Sequence, residues 1–258
     1  REEIESIVCV TAQHRQMLDQ VLELFGIVPD YDLDIMSQGQ TLYDITTRAL
    51  TGLGEVLEQT RPDIVLVHGD TTTTFAGALA AYYQQISVGH VEAGLRTGDI
   101  YSPYPEEMNR KLTGSIAEMH FAPTAEAKSN LLRENVKPEN IVVTGNTVID
   151  ALKQVTARGK ISTYLQETIL AKCVNKKIVL VTTHRRENLG EPMRNVYKAI
   201  KQIVQENPEV VAVFPVHFNP KVRSVAAEEL AGEARIIMCD PLEYEDFAQL
   251  MAHSYLIL

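Results

Sequence analysis

The amino-acid sequence predicts an α/β protein made of two doubly wound domains, each built on a parallel sheet. Short β-branched runs alternate with amphipathic helical stretches along the chain, and such alternation requires parallel strands joined by crossover helices. The chain has 258 residues, of which 45% are hydrophobic, enough for one large or two medium domains with a sizeable core. Polar residues directly follow several of the strands, where ligands of open α/β sheets bind.

The first predicted domain covers residues 1–146. The helix expected at 41–59 places its apolar side chains on one face at a spacing of 3.6 residues. The run at 63–67 is continuously apolar, as in strands that are buried on both faces of a parallel sheet. The other predicted strands are 6–10, 87–91, 120–122 and 141–144, and the other helices are 13–25, 73–84, 105–117 and 125–135.

The second predicted domain covers residues 147–258 and includes a polar stretch at 157–177. Its strands are predicted at 178–182, 210–215, 235–239 and 255–258, and its helices at 192–206, 219–232 and 244–253. The chain opens in one strand and stops on another. We therefore expect an interior segment of a longer protein, truncated at both ends, whose first domain lacks its first strand and whose second domain is partial.

Charge and cysteine usage exclude several classes of protein. There are 24 Lys and Arg residues against 34 Asp and Glu residues, a formal charge of −10, which argues against a general nucleic-acid or anionic-membrane binder. No apolar run approaches the roughly 20 residues of a membrane helix. The three cysteines are far apart in sequence, which predicts a reduced, cytoplasmic protein. The P-loop, HExxH and GxSxG motifs are all absent from the sequence.

Histidine or carboxylate residues follow four of the predicted strands. In chain order they are Asp70, Glu92, His184 with the adjacent Arg185, and His217. Because the carboxyl ends of parallel strands lie at one edge of a sheet, this recurrence predicts a ligand site. Residues 185 and 186 place two guanidiniums just past a buried strand. This position fits binding of a phosphate or pyrophosphate better than it fits a pair of surface charges.

Each of these residues also has a purely structural interpretation. Asp70 could cap the helix that follows it, since Asp is favoured at that position. Glu106 and Arg110 have the i,i+4 spacing of a solvated helix pair, and we prefer the solvated interpretation for Glu107. Glu92 is harder to explain in this way, because a carboxylate beside buried strands needs a partner or a purpose.

The candidate residues lie within long, ordered motifs. Together these motifs resemble those of the non-hydrolysing UDP-N-acetylglucosamine 2-epimerases, in the form found in Gram-positive bacteria, over essentially the whole chain. The motifs are HGDTTTT (68–74), GHVEAGLRTGD (89–99), YSPYPEEMNR (101–110), TGNTVIDAL (144–152), THRRENLGEP (183–192) and FPVHFNP (214–220). The resemblance implies two Rossmann-like domains of the glycosyltransferase-B type, with UDP-GlcNAc or UDP-ManNAc bound in the cleft between them.

The resemblance also implies a role for each matching residue. The catalytic positions match Asp70, Glu92, Glu106 and His184, and the substrate-binding positions match Arg110, Arg185 and Phe247. For Phe247, a core position on the helix at 244–253 is the alternative. A second UDP-GlcNAc, an allosteric activator in some members, would contact Gln13, Gln16, Glu106, Arg185 and His217. Gly39 stands where regulated members carry a basic residue, so we expect activation to be weakened. The resemblance implies a homodimer that uses no metal and no nicotinamide cofactor.

The reaction implied is epimerisation at C-2 of the sugar, by anti elimination of UDP to a 2-acetamidoglucal and re-addition on the other face. It supplies ManNAc for surface polysaccharide. Loops of the family that contact the phosphates and ribose lie outside this segment, so we expect the segment alone to be inactive. Two other functions stay open: a glycosyltransferase of the same fold, and a non-catalytic UDP-sugar-binding protein. Three carboxylates favour the epimerase, since a transferase needs only one base.

Overall fold

The computed structural model describes residues 3–13, 15–183 and 190–258, and at residues 16 and 17 it describes the backbone. Two compact units divide the chain, unit 1 at Arg1–Ile149 and unit 2 at Asp150–Leu258. The predicted domain boundary, between residues 146 and 147, stays a prediction. Within the described ranges, no helix is long and apolar enough to cross a bilayer.

Unit 1 contains two sheets, both parallel. Strands β1 and β2 form one sheet, and the other has four strands in the order β3-β4-β5-β6. The strands are β1 Cys9–Val10, β2 Tyr31–Asp32, β3 Ile64–His68, β4 Ser87–Val91, β5 Met119–Ala122 and β6 Ile141–Val143. The helices are α1 Arg15–Phe25, α2 Leu42–Thr60, α3 Thr72–Tyr83, α4 Glu106–Ile116, α5 Ala125–Arg133 and α6 Thr147–Ala157, of which the last continues into unit 2. The predicted α/β class with parallel sheets is confirmed.

Threonine side chains begin three of the helices. Thr41 caps α2 in a reciprocal capping box with Asp44, and Thr124 caps α5 by accepting a hydrogen bond from a backbone N–H. Thr71 caps α3, its side-chain oxygen accepting from the backbone N–H of Thr74. Asp70 is therefore not the helix cap, and the structural interpretation of Asp70 is wrong.

The four-stranded sheet of unit 1 is buried on one face. Val67 and Val88 lie on the covered face, where they pack against buried side chains of α2 and α3. On the other face, the side chains of Leu66, Met119 and Val142 are 62%, 42% and 47% exposed. The prediction that both faces of the 63–67 strand are buried is wrong. The apolar run alternates between a covered and an open face, because successive side chains of a strand point to opposite sides.

Unit 2 contains one four-stranded parallel sheet in the order β10-β7-β8-β9. Its strands are β7 Lys177–Leu180, β8 Val210–Pro215, β9 Ile236–Cys239 and β10 Leu256–Ile257, and its helices are α7 Glu191–Glu206, α8 Pro220–Leu230 and α9 Tyr244–His253. Both faces of the central strands β7 and β8 are covered, whereas Leu256 and Ile257 of the edge strand β10 are 49% and 42% exposed. Val179 and Phe214 pack against side chains of α7 and α8, and Leu180 packs in a second cluster that includes Leu250 of α9.

The stretch at 157–177 contributes to that second cluster. It contains a π-helix at Leu165–Ile169 followed by a 3-10 helix at Leu170–Cys173. Leu165 and Ile169 are fully buried against the sheet of unit 2. Leu165, Ile169 and Cys173 cover this face together with Leu250 of α9, which the polar composition of the stretch does not reveal.

Candidate active site

Asp70 lies at the turn that follows β3. Gly69 has a φ of +73°, a conformation that glycine adopts without strain, and it turns the chain away from the sheet. The carbonyl oxygen of Gly69 accepts a hydrogen bond from the buried His90 imidazole, with 2.7 Å between that oxygen and Nε2. Since a carbonyl oxygen can only accept, Nε2 carries the proton. The turn that presents Asp70 is thus fixed from beneath by a core side chain.

Arg110 of α4 pairs with two carboxylates. Its Nη2 donates to Oδ2 of Asp70, and its Nη1 lies 3.3 Å from Oε2 of Glu107. The neighbouring Asn109 donates its amide N–H to the backbone carbonyl of Asp70, at 2.9 Å. The interpretation of Glu106 and Arg110 as a solvated ion pair is wrong, because the guanidinium points toward the end of β3 and pairs there.

Glu107 is the most completely buried carboxylate of this region. Its side chain is 0% exposed, and Oε1 accepts hydrogen bonds from the backbone N–H groups of Thr97 and Gly98, both at 3.1 Å. The expectation of a solvated Glu107 is wrong. The loop after β4 folds over the first turn of α4 and replaces water as the hydrogen-bond partner.

Glu106 is the first residue of α4. Its Oε2 atom is buried and has no hydrogen-bond partner among the residues described in the structure. Buried polar atoms are normally paired, so an exception of this kind in a carboxylate calls for a functional explanation.

Glu92 follows β4 in a left-handed backbone conformation, with a φ of +63°. Residues other than glycine rarely adopt this conformation, and it is concentrated at functional sites. The Nδ2 atom of Asn146 donates to Oε2 of Glu92 at 3.2 Å, and Nε2 of His68 lies 3.7 Å from the same oxygen. His68 is also 3.2 Å from the hydroxyl of Thr147. Polar groups that follow β3, β4 and β6 therefore meet at one edge of the sheet.

Two buried histidines lie under this edge without adding positive charge. His90 and His120 are register partners on β4 and β5 and are almost completely inaccessible. Burial lowers the pKa of His90 from 6.5 to about 4 and also lowers the pKa of His120, because an imidazolium would lose its hydration there. Both are neutral at neutral pH. The guanidinium of Arg110 is therefore the cation that contacts Asp70 and Glu107 at this edge.

Three of the remaining predicted site residues, Gln13, His217 and Phe247, are described in the structure. In unit 1, Oε1 of Gln13 accepts a hydrogen bond from the hydroxyl of Thr73 at 3.3 Å. In unit 2, the exposed His217 accepts through Nδ1 from the backbone N–H of Asn219 at 3.1 Å, and the half-buried Phe247 packs against the core. His184, Arg185 and the side chain of Gln16 lie outside the described residues.

Four polar residues of this site were not predicted: His68, Glu107, Asn109 and Asn146. All four lie inside the motifs quoted above. Their membership of these motifs was the available signal. In the described ranges, no group of three or more His, Cys, Asp and Glu side chains could hold a metal ion. What the edge offers is several carboxylates beside one guanidinium, an arrangement suited to acid/base chemistry on an anionic ligand.

Comparisons with known proteins agree with this chemistry. The sequence model of the UDP-N-acetylglucosamine 2-epimerase family matches residues 1–258. A protein of that name from Bacillus subtilis is 56% identical over 256 residues, which are 99% of this chain and 66% of that protein. One from Yersinia pestis is 55% identical over 98% of this chain and 69% of its own length.

A solved structure of similar sequence has the same fold. The UDP-GlcNAc 2-epimerase from Neisseria meningitidis, solved bound to UDP-GlcNAc, is 48% identical and superposes with a TM-score of 0.86, over 100% of this chain and 70% of that one. The chain thus spans about two thirds of the length of these relatives. A family match over the whole chain, at this level of identity, means that the chain belongs to the UDP-N-acetylglucosamine 2-epimerase family.

Proposed function

We propose that the whole protein interconverts UDP-GlcNAc and UDP-ManNAc by inverting the configuration at C-2 of the sugar. Family membership supports this activity, and so does the N. meningitidis relative solved with UDP-GlcNAc. The observation that carries the proposal is the contact between Asp70 and Arg110, with Glu106 one turn away on the same helix. It combines a carboxylate paired with a cation and a second carboxylate, one oxygen of which has no hydrogen-bond partner among the described residues.

The reaction needs a proton acceptor, a proton donor and a counter-charge. One carboxylate removes the C-2 proton while the bond from C-1 to the UDP oxygen breaks, which gives 2-acetamidoglucal and UDP. UDP then adds back at C-1, and C-2 receives a proton on the opposite face. This route moves protons and the UDP group but no hydride, so it requires no nicotinamide. Carboxylates are common general acids and bases, and a guanidinium suits the charge of the departing pyrophosphate.

We assign these roles to the residues that match the family motifs. Asp70, Glu92 and Glu106 are the acid/base carboxylates, and we do not distinguish which of them takes the C-2 proton. Arg110 stabilises the departing UDP, together with His184 and Arg185. Phe247 contacts the uracil.

Regulation and assembly form a second part of the proposal. A second UDP-GlcNAc activates the enzyme by binding Gln13, Gln16, Glu106, Arg185 and His217, with an effect weakened by Gly39. The enzyme acts in the cytoplasm as a homodimer. Sigmoidal dependence of rate on UDP-GlcNAc, becoming hyperbolic on substitution of His217, would support the activator site, and a hyperbolic curve for the unmodified enzyme would contradict it.

Incubation of the whole protein with UDP-GlcNAc in deuterated water tests the main proposal. An epimerase yields UDP-ManNAc and incorporates deuterium at C-2, which NMR and mass spectrometry detect. A glycosyltransferase gives neither product in the absence of an acceptor. A binding protein gives no turnover, although calorimetry would still detect the binding of UDP-GlcNAc. Absence of C-2 exchange in the whole protein would refute the epimerase.

Substitution of the carboxylates tests the assignment of residues. We expect Asp70→Asn and Glu106→Gln to lower kcat by about 10²-fold or more, the usual scale for a general acid or base. The matched control is Asp63→Asn, which changes the same functional group just before β3 instead of just after it. Turnover near that of the unmodified enzyme in either carboxylate variant would show that the residue is only structural.

A further inference from the structure

Glu107 uses its two carboxylate oxygens for two different tasks. Oε1 accepts from the backbone N–H groups of Thr97 and Gly98, at 3.1 Å each, and so holds the loop that follows β4. Oε2 faces Nη1 of Arg110 at 3.3 Å. The side chain is fully buried, so water cannot substitute for either interaction. A carboxylate buried to this degree is tolerated only when hydrogen bonds and an opposite charge compensate the lost hydration.

Arg110 is held between two carboxylates, with one terminal nitrogen for each. Its Nη2 contacts Oδ2 of Asp70 and its Nη1 contacts Oε2 of Glu107. An arginine with a single carboxylate partner commonly binds both of its oxygens with two parallel N–H groups. Nη1 carries a second N–H, but its contact with Glu107 fixes the plane of the guanidinium, and in this orientation Nη2 is the terminal nitrogen that contacts Asp70.

We infer that Glu107 is a positioning residue that fixes the orientation of the Arg110 guanidinium and keeps one oxygen of Asp70 out of the ion pair. It acts through Arg110 and does not itself contact the reacting atoms. Asp70 then retains Oδ1 for exchange of a proton, and Nη1 and Nη2 keep fixed directions relative to the departing pyrophosphate. This inference rests on the proposed epimerase function.

The substitution Glu107→Gln separates the two tasks. Glutamine has nearly the same shape, and its amide oxygen can still accept from Thr97 and Gly98. Its amide nitrogen is a donor and then faces the guanidinium, which is also a donor, so Arg110 loses this partner. The loop stays in place while the anchor of Arg110 is lost. A matched control is Glu233→Gln in unit 2, because the carboxylate of Glu233 likewise accepts from a backbone N–H and lies 3.3 Å from an arginine nitrogen, Nε of Arg235.

We expect Glu107→Gln to lower kcat for UDP-GlcNAc by about 10- to 100-fold, since misplacement of a catalytic group by about 1 Å can cost 10²-fold. KM should change little, because the guanidinium still contributes its charge to the site. The control variant should keep kcat within about twofold, the ordinary scatter of a rate at a remote site. A purely structural role for Glu107 predicts a lower yield of folded enzyme with unchanged kcat per folded molecule, and that result would overturn the inference. So would a raised KM with unchanged kcat.

A second variant and a second measurement cover the other outcomes. If Glu107→Gln does not fold, Glu107→Asp keeps the charge but is too short to reach both the loop and Arg110, and it must show the same loss of kcat for the inference to stand. If the unmodified whole protein does not epimerise UDP-GlcNAc, the proposed function fails separately. A crystal structure of Glu107→Gln then decides the inference. A structure in which both terminal nitrogens of Arg110 contact Asp70 would support it, and a structure in which the guanidinium has not moved would refute it.

Discussion

Unit 1 and unit 2 are both built on four-stranded parallel sheets, yet they bury different kinds of side chain. Nine polar or charged residues are buried among those that the structure describes, and Gln249 is the one that belongs to unit 2. The eight in unit 1 are Thr11, Thr72, Thr74, His90, Glu107, Asn109, Thr113 and His120. Five of these eight lie on α3, which begins just after Asp70, and on α4, which carries Arg110. The buried side chains of unit 1 therefore include many hydrogen-bonding groups, whereas those of unit 2 are almost all apolar.

The covering of the two sheets differs in the same sense. In unit 2, apolar clusters occupy both faces, with α7 and α8 on one side and α9 with the π-helix on the other. In unit 1, the described helices pack against one face, and the opposite face exposes Leu66, Met119 and Val142. A well-covered apolar sheet is a stable scaffold, whereas polar groups buried at a sheet edge position a site at some cost in stability.

The largest effect that tests this comparison is expected in the core of unit 2. Leu180 is fully buried at the centre of the sheet, and Leu180→Ala should lower the free energy of unfolding by about 2–5 kcal/mol, the range for deletion of a buried leucine side chain. Urea denaturation followed by circular dichroism measures the loss. A loss below about 1 kcal/mol would mean that the site can collapse or is wetter than the structure indicates.

The next effect is a pH dependence that originates in unit 1. His90 has a folded-state pKa of about 4 against 6.5 for the free side chain. Between these values the unfolded chain binds a proton that the folded chain does not, so stability falls as pH falls from about 6.5 to about 4. The full shift corresponds to about 3 kcal/mol. Stability above pH 6.5 should not depend on this group.

The variant His90→Gln isolates that contribution. Its amide can still donate to the carbonyl of Gly69, but it does not titrate. As pH decreases from about 6.5 to about 4, we expect the unfolding free energy of the unmodified protein to fall more than that of the variant. Parallel pH profiles would show that the pKa of His90 is the same in the folded and unfolded chains, and His90 would then not count as a neutral buried group of unit 1.

Much of this fold could be predicted from sequence, because local patterns determine where elements begin and end. The strand at Val210–Pro215 and the helix at Tyr244–His253 have the predicted bounds, since each is strongly patterned. The covering of a sheet could not be predicted in this way. An apolar run such as 63–67 does not indicate whether one or both faces of the strand pack against other elements, since that depends on residues distant in sequence.

The candidate site shows the same limit. Asp70 and Glu92 were predicted from their positions after strands, which is a local property. The burial of Glu107 was missed, because a charged residue in the first turn of a helix ordinarily faces solvent. What buries it is the loop at 94–99, which folds back from the end of a neighbouring strand. Only the three-dimensional structure brings that loop to the helix.

The smallest effect is expected on the open face of unit 1, and it tests the comparison most directly. Leu66 is the same residue type as Leu180, but it lies on the edge strand β3 and is 62% exposed. It covers mainly Gly89, whose lack of a side chain leaves room for it. Full burial of a leucine side chain contributes about 1.5–3 kcal/mol, so the smaller buried fraction at this position corresponds to about 1 kcal/mol or less. We therefore expect Leu66→Ala to lower the unfolding free energy by less than about 1 kcal/mol, in the urea titration used for Leu180→Ala. A loss of about 2 kcal/mol or more, as for a buried leucine, would show that another part of the protein covers this face, and the two sheets would then be equivalent in packing.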